Sequence, residues 1–450
     1  MARSSPSKGP RRIQDPRLEL ASRDEIEALQ LLRLRSMLAR AAATNPFYRK
    51  RWDAVGLDVD DVRTLADFRR LVPTVEKSDF VKDQEVAPPY GERMAHALTL
   101  GMPLEFYTTS GTSGQGVELH GQTAEELQGM IELYSFGLRW SGLSRGDMVA
   151  LTLPITMFAG GRAEMQGAVG YGLGVLPVGN YDVERKLKIV EQFRPQGLFG
   201  STSYFAHMAA HHNDPGSLGV RTLLTGLEGV GFTYLERLQE DWNATAYDRF
   251  GCAQARADFM FNCETGVGTA ARPGLLHAID SLMMVEVIDI ETGEPVRDGE
   301  YGELVITSLY NLDTPLVRCR IRDGGIYHDH SYCSCGRPFG GIEVGSLSRT
   351  DDVKKVKGVT IYPQAVDQAV LESTAVDEYE VLLTSADDAT DVATVVLMLK
   401  KTVAEASVMT VCDEVAARLH RTVGIHFTVT VGEVSRSEYK VRRWRDERVR

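Results

Sequence analysis

The sequence predicts an α/β protein: a large N-terminal α/β domain with parallel sheet and a β-rich part, followed by a small C-terminal α+β domain. Three observations carry this. Between about residues 123 and 251, short apolar runs alternate with helix-patterned segments, the rhythm of a parallel sheet covered by helices. After about residue 280 the texture changes to strands with Gly-rich connections. From about Asp352 a second, smaller mixture of strands and helices begins. A chain of 450 residues exceeds one typical domain. It divides into a disordered lead-in at 1–15, a main domain at 16–350 and a small domain at 351–450.

The first helix is written in "SRDEIEALQLLRLRSMLARAAATNPFY". Ser22 is an N-cap and Glu25 completes a capping box. Ala28, Leu31, Leu34, Leu38 and Ala42 recur at helical spacing, and Asn45-Pro46 ends the run. A second helix starts near Thr123. "DMVALTLP" is a strand, and "GYGLGVLPVG" is a small-residue turn entering another. "VERKLKIVEQFRP", "YFAHMAAHH" and "TYLERLQEDW" are helices, separated by the strands "QGLFGSTS" and "VRTLLTGLEG". "ATAYDRFG" is one further strand. Ligands of parallel sheets bind at the carboxyl ends of the strands, where the loops of Ser201, Glu228 and Gly251 lie. "SLMMVEVIDIETGEPVRDGEYGELVITSL" predicts a β-hairpin. The small domain contains "VKKVKGVTIYP", helices near 364–373 and 404–422, and the strands "YEVLLTS", "VATVVLMLK" and "HFTVTVGEV".

Composition excludes several classes. The hydrophobic fraction of 43% and charged fraction of 25% are those of an ordinary globular protein. A net charge of −12 argues against general nucleic-acid binding. No apolar run has transmembrane length, so no membrane partner is expected. "MARSSPSKGPRR" lacks the apolar stretch of a signal peptide. Six cysteines in 450 residues make no disulfide framework. A cytoplasmic protein is expected, acting on small molecules, with a homodimer compatible.

"FYTTSGTSGQGVELHG" then stands out. Its glycines permit close backbone approach, and its amides and hydroxyls suit an anion such as phosphate. No Gly-Lys-Ser/Thr follows, so this is not the P-loop NTPase signature. A plain flexible turn is the other reading of the stretch taken alone.

With "TGLEG", "DRFGCAQ", "PLVRCRIRDGG", "GSLSRTDDVKKVKGVTIYP" and "EVSRSEYKVRRW" following in order, the chain resembles the adenylate-forming superfamily. It is most similar to the phenylacetate–coenzyme A ligase branch. The resemblance runs nearly end to end and implies the following roles. Ser110, Gly111, Thr112, Ser113 and Gly114 hold ATP phosphates. Glu228, Phe250 and Gly251 belong to the adenine site, with Phe250 stacking on the base. Gln254 stands where the family usually has a Glu that ligates magnesium, so one charge is missing there. Asp323 accepts from the ribose hydroxyls, and Arg349 contacts ribose or phosphate. Asp351 is the pivot of a hinge, and the small domain is mobile about it. Lys440 is the catalytic lysine that meets the carboxylate and α-phosphate. Thr112 and Gln254 complete the catalytic set. Arg318 and Arg322 are either site residues or structural ion-pair partners. "RRWRDERVR" fits a solvated basic tail.

"LPITMFAGGRAEMQGAVGYGLG" aligns with the acyl pocket of this branch. Phe158 and Gly161 suit a flat aryl ring. Arg162 either pairs a substrate carboxylate or nitrite, or caps a surface helix. Arg256 and Asp258 are candidates for reading a polar ring substituent. Cys263, His277, Cys333 and Cys335 form a Cys/His set with a Cys-x-Cys knuckle. Four such ligands make a closed, structural zinc site, as in some phenylacetate ligase relatives; reduced, buried thiols are the alternative.

The implied reaction uses ATP and Mg2+ to convert an aromatic carboxylic acid to an acyl-adenylate with loss of pyrophosphate. Coenzyme A is then the expected acceptor. The alternative in the same fold is an ATP-dependent diazotase that adenylates nitrite and delivers it to an aromatic amine.

Overall fold

The computed structural model describes residues 11–108, 116–269, 271–356, 359–385, 391–400, 402–434 and 443–448. Its first long helix, Arg23–Thr44, is capped by Ser22 and Glu25 as the sequence predicts. The face it buries is shifted from the predicted one. Ile26, Gln30, Leu34, Met37, Leu38 and Ala41 are buried, whereas Ala28 is exposed. The lead-in also needs correction over 11–15. Arg12 donates to Trp140 O at 2.8 Å and to Tyr247 Oη at 2.9 Å, and Asp15 caps the short helix Pro16–Glu19.

β1 (Leu104–Thr108) and β2 (Leu119–Thr123) form an antiparallel pair, and the Gly-rich stretch lies between them in sequence. Thr123 caps the helix Ala124–Trp140 in a capping box with Glu126. The parallel sheet follows: β3 (Met148–Leu151), β4 (Gly174–Pro177), β5 (Gly197–Phe199), β6 (Thr222–Leu224) and β7 (Thr245–Tyr247), in the spatial order β4-β3-β5-β6-β7. Helices 159–171, 183–193, 202–210 and 232–242 connect its strands. Its short all-buried strands, such as "GLF" and "TLL", read as continuous apolar runs because both faces are covered.

"ATAYDRFG" is two strands rather than one. β7 ends at Tyr247, and β8 (Arg249–Cys252) starts a different sheet. At the crossing, Asp248 N donates to Asn262 Oδ1 at 2.7 Å and Asn262 N donates back to Asp248 O at 3.1 Å. That second sheet runs from β8 and β9 (Ala257–Asn262) through 275–278, 341–343, 319–328 and 301–308 to 283–288. The expected hairpin is present as the antiparallel pair Met283–Ile288 and Tyr301–Ser308.

In the C-terminal part, strands lie in the order 428–431, 391–399, 376–385, 444–446, with helices Pro363–Leu371 and Val408–Val423 packed together. Among the described residues the basic tail is only partly solvated, with Arg445 and Glu447 exposed. Arg443 and Trp444 are buried, and Arg448 pairs with Asp446 at 2.8 Å and Asp391 at 3.2 Å. Arg237, on helix 232–242, donates to Leu371 O at 2.7 Å and Ser373 O at 3.1 Å, joining this part to the main body. Among the described residues no helix is long and apolar enough to cross a membrane.

Candidate active site

The carboxyl ends of the parallel strands gather the predicted loops. After β5, Ser201 caps helix 202–210, and Ser203 N donates to Glu228 Oε1 at 2.6 Å. After β6 the chain turns through Gly226 and Leu227, both at positive φ. A Cβ on Gly226 would lie 2.7 Å from Arg249 O, so glycine is required where this loop crosses the start of β8. Burial raises the Glu228 carboxyl above its usual range, with Arg443 opposing. Its Oε2 has no hydrogen-bond partner among the described residues. Phe250 packs edge-on against Phe259, with ring centroids 5.6 Å apart, and Gly251 marks a register shift in β8.

Asp323 and Arg349, 26 residues apart in sequence, face each other on paired strands. Arg349 Nη1 lies 3.3 Å from Asp323 Oδ2 and 3.3 Å from Ile321 O. Arg318 and Arg322 are ion-pair partners: Arg318 reaches Glu286 at 3.1 Å and Arg322 reaches Glu76 at 2.8 Å.

Near the Gly-rich stretch, Thr108 N donates to Met157 O at 2.9 Å, which sets Phe158 beside the end of β1. Phe158 is half-exposed, and a Cβ on Gly160 would touch both Phe158 and Leu227. Gly161 passes so close to Pro154 O that a side chain there would clash.

Three substrate expectations are corrected. Arg162 donates to Phe106 O and lies over the Tyr107 ring at 3.9 Å, so its guanidinium braces β1. Arg256 is fully buried and holds Gly121 O and Thr314, so it faces protein rather than a ligand. Asp258, with Tyr134 at 3.0 Å and Arg249 at 2.5 Å, belongs to a buried ionic core that also includes Glu164. Each had looked available because a charged side chain next to a motif carries no sign of its burial.

Gln254 makes a contact that no motif signalled. Its Nε2 donates to Glu118 Oε1 at 3.1 Å and Oε2 at 2.9 Å. Glu118 is buried just before β2, and His120 Nε2 lies 3.7 Å away. Burial works against the charge of Glu118, but the partners His120 and Gln254 prevail and its carboxyl is held low. His120 is pushed down to about 4 by burial, so it is neutral. An acidic residue inside the strand-like "VELHGQT", straight after the loop, was the available signal.

Cys263, His277, Cys333 and Cys335 come together from two chain regions, with ligand atoms all within 4.8 Å of one another. Cys263 Sγ and Cys333 Sγ are 3.7 Å apart, and Cys335 Sγ is 3.6 Å from His277 Nε2. His277 Nδ1 donates to Phe339 O at 2.8 Å, which leaves Nε2 as the donor atom facing the sulfurs. Arg337 N donates to Cys335 Sγ at 3.5 Å. All four residues are well buried and no ligand position is left open, the pattern of a structural metal site.

Residues 109–115, with Ser110, Gly111, Thr112, Ser113 and Gly114, lie outside the described residues, as does Lys440. Asp351 lies in the short turn Thr350–Asp352 between the two parts of the chain.

Asp248, at the sheet crossing, supplies a pH prediction. Burial raises its carboxyl from 3.8 to about 7. Between those values the unfolded chain has released the proton and the native state has not, so stability falls as pH rises from about 4 to 7. Above pH 7 the buried charge costs on the order of a few kcal/mol. Asp248→Asn is therefore expected to melt higher than the parent at pH 8, and the gain should shrink at pH 5. Melting curves at both pH values test this; a gain independent of pH refutes it.

A parallel-sheet site with a Gly-rich stretch between two antiparallel strands, an Asp–Arg pair and a separate C-terminal α+β part defines an adenylate-forming enzyme. The AMP-binding enzyme family model matches residues 31–312, and the AMP-binding enzyme C-terminal domain model matches residues 358–448. The chain belongs to the AMP-binding enzyme family, as an AMP-forming ligase of the phenylacetate–coenzyme A ligase-like branch. The phenylacetate-coenzyme A ligase of Escherichia coli (strain K12) is 25% identical over 439 residues, covering 95% of each chain. That of Thermus thermophilus is 28% identical over 362 residues, covering 79% of this chain and 77% of the relative. In fold, the chain matches the crystal structure of 2-hydroxyisobutyryl-CoA ligase in the postadenylation state. The TM-score is 0.87 at 22% identity, covering 99% of this chain and 95% of that one.

Proposed function

We propose that the protein adenylates an aromatic carboxylic acid with ATP and transfers the acyl group to coenzyme A. The observation that carries this reading is the buried Oε2 of Glu228, without a hydrogen-bond partner among the described residues, together with the Asp323–Arg349 pair on two strands that pair with each other. A buried acceptor without a donor suits an exocyclic amine, as on adenine. The carboxylate of Asp323 suits a ribose diol, and Arg349 a phosphate.

In this reading Ser110, Thr112 and Ser113, with the backbone of Gly111 and Gly114, hold the departing phosphates. Gln254 offers an amide oxygen, a hard donor that fits Mg2+. The cation supplies charge neutralisation on the phosphates when bound. Lys440 meets the charge that develops between the carboxylate and the α-phosphate. Asp351 is the pivot about which the small domain turns between the two half-reactions. Phe158 and Gly161 shape an apolar slot for the acyl group. The Cys263, His277, Cys333 and Cys335 set fits a structural Zn2+, which takes no part in the reaction.

The test is pyrophosphate release with a panel of aryl acids, each with and without coenzyme A and with and without nitrite. Release driven by an aryl acid, with a thioester formed only when coenzyme A is added, is expected. Release driven by nitrite, indifferent to coenzyme A, would replace this reading with a diazotase. Of the two residues that favour nitrite, Gln254 and Arg162, the second is engaged in bracing β1, which supports the aryl acid reading.

A further inference from the structure

Glu118 sits just before β2, fully buried, with its carboxylate against the side-chain amide of Gln254. A carboxylate only accepts, so the amide end facing it is the nitrogen, and Gln254 Oε1 is turned away from Glu118. His120 approaches the same carboxylate, with its Nε2 3.7 Å from Glu118 Oε2. Arg93 Nη2 lies 2.7 Å from His120 Nδ1. Arginine only donates, so Nδ1 accepts, and the neutral ring carries its proton on Nε2, towards Glu118. Arg93 and His120 are both buried, so this arrangement is held by packing as well as by polar contacts.

The consequence concerns the amide oxygen. An amide that donates to an ionised acceptor is polarised, and its carbonyl oxygen becomes a better donor to a cation. A neutral Gln254 alone would be a weak ligand for a divalent cation. Backed by Glu118, it is oriented and it carries a negative field.

We propose that Glu118 is a positioning residue for the nucleotide-bound divalent cation: it clamps the Gln254 amide so that Oε1 faces the cation, and it supplies the charge that Gln254 lacks. The inference rests on the reading of Gln254 as part of the nucleotide site. It makes Glu118 and Gln254 a split version of a single carboxylate ligand, with the charge one side chain further back.

The test is a charge swap. Glu118→Gln, Gln254→Glu and the double variant are titrated with Mg2+ at fixed ATP, reading ATP binding by calorimetry and pyrophosphate release in parallel. Melting temperatures report the fold. Glu118→Gln keeps the shape and a hydrogen bond but loses the charge. It is expected to raise the half-saturating Mg2+ concentration about 10-fold or more, the size of effect that removing the partner of a metal ligand has elsewhere. ATP binding without Mg2+ should be unchanged. Gln254→Glu alone sets two carboxylates face to face and should also weaken Mg2+ binding. The double variant should return the Mg2+ dependence to within about threefold of the parent, because a carboxylate and an amide face each other again. A structural role alone would lower the melting temperature of Glu118→Gln without moving its Mg2+ dependence, and that result overturns the proposal. A folded double variant that stays defective also overturns it. If the double variant does not fold, Glu118→Asp serves, since it keeps the charge and shortens the reach; Mg2+ half-saturation equal to the parent would refute the clamp. Failure of the unaltered protein to bind ATP with Mg2+ would instead remove the nucleotide-site reading on which the inference stands.

Discussion

Replacing Lys440 with alanine is expected to slow acyl-adenylate formation by about 10²–10³-fold, the effect of removing one preorganised electrostatic group from a transition state. ATP binding should change little. The reason for the split is that the lysine's charge meets charge that grows only as the carboxylate attacks the α-phosphate. An interaction made mainly in the transition state lowers the rate constant when lost, not ground-state affinity.

The described chain resumes at Arg443. Arg443 is buried, with Glu378 at 2.8 Å and Asp367 at 3.5 Å, and Trp444 is buried at the start of the strand Trp444–Asp446. This desolvated ion-pair cluster is strongly destabilising to break. Single-turnover adenylation and equilibrium dialysis of ATP together make the measurement. A Lys440→Ala protein with full adenylation activity would remove Lys440 from the reaction; a protein that loses ATP binding in proportion would make it a ground-state contact.

The second large effect concerns metal content. The purified protein is expected to hold one zinc ion per chain by atomic spectroscopy. Cys335→Ser should lose most of it and melt well below the parent. Structural zinc contributes on the order of 10 kcal/mol to small metal-dependent folds. Here Cys263, Cys333 and Cys335 are a small part of one large hydrophobic core, so most of the fold should survive the loss, at a cost of about several kcal/mol. The two regions joined are the stretch from β9 to strand Leu275–Ala278 and the loop that follows strand Cys319–His328. The three sulfurs and His277 Nε2 converge on one point, with Cys263 Sγ 3.7 Å from Cys333 Sγ and Cys335 Sγ 3.6 Å from His277 Nε2. Zinc should not alter the chemistry, because the four protein ligands fill a tetrahedron. Metal-free protein with an unchanged melting temperature would establish reduced thiols instead.

Much of this protein was legible before any coordinates. Capping boxes are local, so Ser22 with Glu25 marked a helix start correctly. Parallel strands buried on both faces are short apolar runs, and β3, β5 and β6 stood out for that reason. The order of motifs pointed to the family. What was misread shares one cause. "ATAYDRFG" reads as a single β stretch, since propensity does not record that Asp248 hands the chain from one sheet to another. The buried face of helix Arg23–Thr44 is decided by what packs on it, and its apolar residues fit more than one stripe.

The sequence by itself determined the class of domain, the presence of several of the helices and the candidates for nucleotide and metal binding, because these depend on residue type and local spacing. Only the tertiary structure decided which charged residues are available. Arg162 and Arg256 look like substrate contacts in the chain and are braces in the fold. Glu118 looks like one more residue of a strand and is the partner of Gln254, 136 positions away. Local rules carry no information about such pairs. A charge buried at one point of the chain must find its partner wherever the packing of sheets and helices brings one within hydrogen-bonding distance.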